Sequence, residues 1–224
     1  MSPETLATKP RGTRRADKSL RRQELIEATI DSLAKRGYDA TTTAVVADGA
    51  GLSRGIVNFH FESKEKLLVE TLRYLSDEYS GHWRGAIEAA GPGAAAKLWA
   101  LAGADFDRKV CTQRKLAAWG AFWGEAKSRP TYRELCSAND DEYLKTVIEL
   151  MQALLAPGRD VRLLARGFVC LQDGLWHHLM ISPREFKRDE AWAVSRAHLA
   201  TVLPDHFTMD GPIDRPAGEP EDVR

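Results

Sequence analysis

The sequence carries no surplus of charge of either sign. Its 32 lysines and arginines balance 32 aspartates and glutamates across 224 residues. A nucleic-acid binder ordinarily has a basic excess, so the balance at first argues against one. Cysteine is scarce: Cys111, Cys136 and Cys170 are odd in number and far apart. That excludes a disulfide framework, fits no zinc spacing, and leads us to expect a reducing cytoplasm. No apolar run approaches the roughly 20 residues that span a bilayer, so no membrane partner is expected. The N-terminus also lacks the apolar stretch of a secretory signal. Alternating β-branched runs are missing as well, which leaves an all-α fold as the expected class. Tryptophan is absent from the first 82 residues, and all six lie beyond them.

What is present is helical periodicity. Leu25/Ile26, Thr29/Ile30 and Leu33/Ala34 recur every four residues, which predicts a helix from about Leu20, capped by Ser19 and stopped by Gly37. Two short helices are expected next, over Thr42–Ala50 and Ser53–Phe59, broken at Gly51-Leu52. Ser63 caps a long helix with a stripe of Leu68, Leu72, Leu75 and Tyr79, ended by Gly91-Pro92-Gly93. Later helices are expected over 94–108, 113–128, 131–156, 160–181 and 184–203. The last starts at the capping box Ser182-Pro183-Arg184-Glu185. The expected organisation is a disordered basic arm (1–18), a small helical head (19–66), a larger helical body (67–204) and a disordered acidic tail (205–224).

Several patterns suggest chemistry that their context argues against. Gly51-Leu52-Ser53-Arg54-Gly55 matches the G-x-S-x-G turn of a serine hydrolase, but that turn needs a strand before it, and the residues before it read as helix. Gly91-Pro92-Gly93-Ala94-Ala95-Ala96 resembles a dinucleotide loop, yet it too follows a helix. His177 and His178 are adjacent and so point about 100° apart on a helix. Asp173 and His177, four apart, could pair. No cofactor, metal or catalysis is expected.

Two short helices around a glycine turn, from Thr41 to Phe59, form a helix-turn-helix arrangement, whose second helix would enter the major groove. A helical adaptor that never touches DNA has the same spacing, so residue identities must decide. The run Ala50-Gly51-Leu52-Ser53-Arg54-Gly55, then Phe59-His60-Phe61, then Ser63-Lys64-Glu65-Lys66-Leu67-Leu68 strongly resembles the tetracycline-repressor-like (TetR) family of bacterial regulators. The resemblance implies a DNA-binding regulator, a repressor of a double-stranded operator, acting as a homodimer released by a small-molecule effector. Ser53, Arg54, Gly55, Asn58, Phe59 and His60 would present the recognition helix. Arg54 suits guanine and Asn58 suits adenine. Thr42, Thr43 and Lys64 would contact phosphate. Phe59 lacks the hydroxyl that the family often places there. Val46, Leu52, Ile56 and Phe61 would be core, and the arm from Lys9 to Arg22, with seven basic residues and one acidic, would add phosphate contacts.

The body resembles a branch of that family, the choline-sensing repressors of the glycine-betaine pathway. The likeness rests on Trp119-Gly120-Ala121-Phe122-Trp123, Pro130, Asn139-Asp140-Asp141-Glu142-Tyr143 and Asp173-Gly174-Leu175-Trp176. It implies a pocket in which Trp119, Phe122, Trp123, Tyr143 and Trp176 supply aromatic faces to a quaternary ammonium. Asp107, Asp140 or Asp173 would balance its charge. An unrelated hydrophobic effector is the alternative. The last two helices, with a stripe of Val161, Leu164, Phe168, Leu171 and Leu175, would form the dimer. Under this reading the zero net charge is a cancellation: residues 1–66 hold twelve basic and nine acidic residues, and the remainder holds twenty and twenty-three.

Overall fold

The computed structural model describes residues 11–213, the first six by backbone alone. Among the described residues the fold is all-α, as expected, with nine helices and a single isolated bridge, Phe207 to Pro212. No helix among them is long and apolar enough to cross a membrane.

Helix α1 (Arg11–Ala40) starts well before the expected Ser19 cap, so the part of the arm from Arg11 is helix rather than disordered chain. Residues 1–10 lie outside the described residues. Gly37 interrupts α1 at φ 77°, a conformation that favours glycine, so the expected stop is there although one more turn follows it. Helices α2 (Thr43–Gly49) and α3 (Arg54–Phe61) are joined by a turn through Gly51 at φ 64°. Helix α4 (Lys64–Ala89) begins at the expected Ser63 cap, whose side chain accepts from the Lys66 N–H. It is followed by α5 (Ala94–Ala104), α6 (Gln113–Glu125), α7 (Pro130–Gln152), α8 (Val161–Ile181) and α9 (Arg188–Val202).

Three expectations fail here. Helix α5 stops at Ala104, four residues early, and the chain turns at Asp105. The Ser182 capping box makes only one turn, with the Glu185 and Phe186 N–H groups donating to the Ser182 carbonyl, and α9 restarts from Lys187. Residues 205–213 are docked, not loose: Phe207 is buried and stacks on Trp99 with centroids 6.0 Å apart. Residues 214–224 are outside the described residues.

The core has two parts. One runs without a break from the head (Leu25, Ile30, Val46, Phe61, Leu68) into the body through Leu116, Trp119, Phe122, Tyr132 and Trp176. The other fills the far end around Trp83, Leu101, Val147, Phe168 and Leu199. The α8 stripe expected at a partner interface thus faces inward, with Phe168 fully buried and Leu175 nearly so. The opposite side of α8 leaves Leu163, Gly167, Cys170, Gly174 and Ile181 exposed, spaced by three, four or seven residues. Helix α6 packs most extensively on α1. There Arg114 pairs with Glu27 at 2.6 Å and also with Asp31.

Candidate DNA interface and ligand cavity

The head exposes one side of α3 and the residue before it. Ser53, Arg54, Gly55, Asn58 and Phe59 are all exposed on α3, and Phe59 is 68% exposed. No side chain among the described residues engages Arg54 or Asn58, which leaves both free to hydrogen-bond outward. Lys18 of α1 lies over the Phe59 ring at 5.2 Å and extends this face with a positive charge. Thr42 is exposed and caps α2, accepting from the Val45 N–H at 3.3 Å, while Thr43 is half-buried.

Two candidates sit differently from the rest. His60 is half-buried, ringed by Phe59 and Phe61, and its Nδ1 has no partner. Burial first, then the cations Lys18 and Arg22, lower its pKa, so it is neutral at pH 7. Lys64 points its ammonium at the end of α1, donating to the Tyr38 and Asp39 carbonyls at 3.4 Å. A lysine there neutralises the negative end of α1 and fixes α4 against it. Val46 and Phe61 are core, as expected; Leu52 and Ile56 pack against them.

Ser53 stands at the α3 N-cap position, but its side chain makes no cap hydrogen bond. Helix α2, not a strand, precedes it, so the strand-to-helix turn of a hydrolase is not there. Ser53→Ala should therefore change stability by less than about 0.5 kcal/mol, rather than the roughly 1 kcal/mol of a working cap. Urea melts of the two proteins check this, and a larger loss would restore the cap.

In the body, α4, α6, α7 and α8 enclose a cavity of about 540 Å³. Trp119 and Trp123 of α6 line one side, stacked at 6.2 Å with 28° between their planes. Tyr79, Tyr143 and Trp176 line another, with Tyr79 5.2 Å from Trp176 and 6.1 Å from Tyr143. Asp140 and Asp173 complete the expected set. Two expected residues are elsewhere. Phe122 turns away from the cavity and packs edge-on against Tyr38 and Tyr132, at 6.4 and 5.4 Å. Asp107 faces His82, 3.9 Å away.

One residue lining the cavity, Asp105, was not among those expected there. Asp105, at the C-cap of α5, is 1% exposed. Its carboxylate accepts from Tyr79 Oη at 2.8 Å, Tyr143 Oη at 2.7 Å and Gln172 Nε2 at 2.7 Å. Its carbonyl accepts from Trp176 Nε1 at 2.8 Å. No cation among the described residues pairs with it. Burial pushes its pKa up to about 6 against the pull of those three donors. Asp140 is also raised to about 6, by desolvation and then by the neighbouring Asp173 and Asp141, while Asp173 is raised mainly by burial. Four carboxylates (Asp105, Asp140, Asp141, Asp173) thus face one guanidinium, Arg166.

Comparison with known proteins agrees with both halves of this arrangement. Residues 25–71 match the model of bacterial regulatory proteins of the tetR family, and residues 94–204 match that of the BetI-type transcriptional repressor C-terminal domain. The chain is 31% identical to the HTH-type transcriptional regulator BetI 2 of Chromohalobacter salexigens, over 82% of this chain and 89% of that one. A putative transcriptional regulator from Pseudomonas aeruginosa PAO1 superposes with TM-score 0.72 at 27% identity, covering 83% of this chain and 91% of its own. A putative regulator from Saccharomonospora viridis, solved in complex with choline, shares the fold at TM-score 0.71 and 21% identity, covering 81% and 96%. On the two matched models and the 31% identical relative, the chain belongs to the TetR family of bacterial regulatory proteins, with a C-terminal domain of the BetI type.

Proposed function

We propose that the protein is a cytoplasmic repressor that binds a near-palindromic operator as a homodimer and is released by an organic cation of the choline class. The observation that carries the effector reading is Asp105: a buried carboxylate with no counter-cation among the described residues, set among aromatic faces. A quaternary ammonium cannot donate N–H hydrogen bonds, and aromatic faces with nearby carboxylates hold it. An apolar effector would leave Asp105 buried and uncompensated, a costly arrangement. The choline bound by the S. viridis regulator is the same class of ligand on the same fold.

Helix α6 supplies the link to DNA. Trp119 and Trp123 face the cavity, and Phe122, one residue from Trp123, presses on Tyr38 at the end of α1. The hydroxyls of Tyr38 and Tyr132 meet at 2.5 Å in the same cluster. A cation that draws the tryptophans inward would turn α6 and shift α1 with the head it carries. Release requires that the cation bind this shifted state more tightly than the DNA-bound one. The exposed side of α8 is the dimer surface we assign, because its small residues let a second copy approach closely.

Operator selection from random DNA tests the reading, followed by titration of the complex with choline. A selected palindrome that choline dissociates is the expected result. Arg54→Ala should weaken that operator by about 10- to 100-fold and relax preference at one base pair per half-site. Selection that returns no common sequence, or unchanged affinity in Arg54→Ala, would overturn the DNA assignment.

A further inference from the structure

Helix α3 turns its apolar side chains inward with one exception. Val57 and Phe61 are buried, and Ile56 packs against the same core. Phe59 stands instead on the exposed side, with Arg54, Gly55 and Asn58. Its ring is nevertheless held. Lys18 of α1 lies over it at 5.2 Å, and the His60 ring meets it edge-on with centroids 5.2 Å apart. A side chain held in place before binding loses little freedom on binding. Gly55, one turn earlier on the same side of the helix, has no side chain to stand between that ring and a duplex.

An apolar ring that enters the major groove has few partners there. The base edges carry hydrogen-bond donors and acceptors, with one apolar group among them, the C5-methyl of thymine. Phe59 has no hydroxyl, so it can donate nothing to a phosphate. From this we infer that Phe59 is a specificity-determining residue that packs on a thymine methyl in each half-site of the operator, while Lys18 beside it meets a neighbouring phosphate. The inference rests on the DNA reading of the head. It adds thymine to the guanine and adenine that Arg54 and Asn58 suit. 5-Methylcytosine carries the same methyl group on the same edge of the base, so this contact also makes the head sensitive to cytosine methylation at that position.

The test starts from an operator selected on random DNA with the full-length protein, in which each half-site should hold an invariant thymine. Replacing that thymine with uracil removes the methyl group and nothing else. Affinity should fall about fourfold for one half-site, the scale of one buried methyl, and about 15-fold for both. Cytosine and 5-methylcytosine at the same position should differ by the same factor. Phe59→Ala should bind the thymine and uracil operators alike, whatever it does to both affinities together. A phenylalanine that only supports Lys18 and His60 would, on removal, weaken both and leave their ratio unchanged. Equal binding of the thymine and uracil operators by the unaltered protein, at every thymine, would overturn the role of Phe59 while the DNA reading stands, and it needs no variant that folds. A ratio that survives Phe59→Ala would place the methyl contact on another residue and overturn it as well. Selection that returns no common sequence would remove the DNA reading and this inference with it.

Discussion

Asp105→Asn should abolish the response to choline while making the empty protein more stable above pH 6. The two effects share one cause. Asp105 titrates near 6 in the folded protein against an ordinary value of 3.8. A carboxyl whose folded pKa is raised binds its proton more tightly when folded, so its contribution to stability is favourable at low pH and is lost as pH rises through 4 to 6. The loss amounts to about 3 kcal/mol at pH 8, at 1.36 kcal/mol per unit. Asparagine keeps the shape and removes the charge: its oxygen can accept from the Tyr143 hydroxyl and Gln172, and its NH2 group can donate to the Tyr79 oxygen, reversing that one bond. Urea melts should show the variant ahead of the parent by up to about 3 kcal/mol at pH 8 and level with it near pH 4. The bound cation loses its buried counter-charge, and its affinity should fall about 100-fold, in line with truncating one partner of a buried charge pair. Operator affinity should be unchanged, because Asp105 lies in the body. In the parent protein, choline affinity should weaken as pH falls below about 6, where both Asp105 and Asp140 take up protons. A variant that still binds choline normally at pH 8 would exclude Asp105 as the counter-charge.

Cys170→Glu should give a folded monomer with almost no operator affinity. Cys170 lies midway along the exposed side of α8, between Gly167 and Gly174. In a two-fold dimer each surface residue meets its own copy or lies near it, so one substitution buries two like charges. In the single chain the same glutamate sits on solvent-exposed helix and costs little. Losing the second half-site removes the gain of tethered binding, a factor of at least about 100. Sedimentation and operator titration of the same sample check both parts. A dimer that persists would move the interface away from this side of α8.

The helix ends of the head from Gly37 onward were legible in the sequence, because their signals are local. Thr42 and Ser63 each accept a backbone N–H in the way their position at a helix start predicts. Gly37 and Gly51 take the positive φ that their places at helix ends require. The cavity was legible only by face. Trp119 and Trp123, four apart, do share a side of α6, but Phe122, three from Trp119, lies across from the cavity and belongs to the contact with α1. Helical spacing sorts residues into neighbours and cannot say which neighbouring helix they meet.

Asp105 was missed for a different reason. Carrying α5 on to residue 108 puts Asp105 and Asp107 in the same helix, with no ground for choosing between them. The early stop at Ala104 turns one inward and the other toward His82. The start of the tail, residues 205–213, was misread by composition: prolines and acids outweighed one phenylalanine, yet Phe207 covers Trp99 and joins the second core. A large buried aromatic surface outweighs the entropy of a short polar segment.

The unbroken core between head and body has a consequence for how the molecule comes apart. Phe61, Leu68, Phe122 and Trp119 belong to one packed cluster, so the interior of the DNA-reading half is continuous with that of the body. Heat should melt the chain in one transition, followed equally by a probe in α3 and by the tryptophans of α6. Cut after residue 66, the head would lose the surface that covers Tyr38 and would not persist as a free module. A cation stabilising the cavity would then raise the melting point of a recognition helix it never touches.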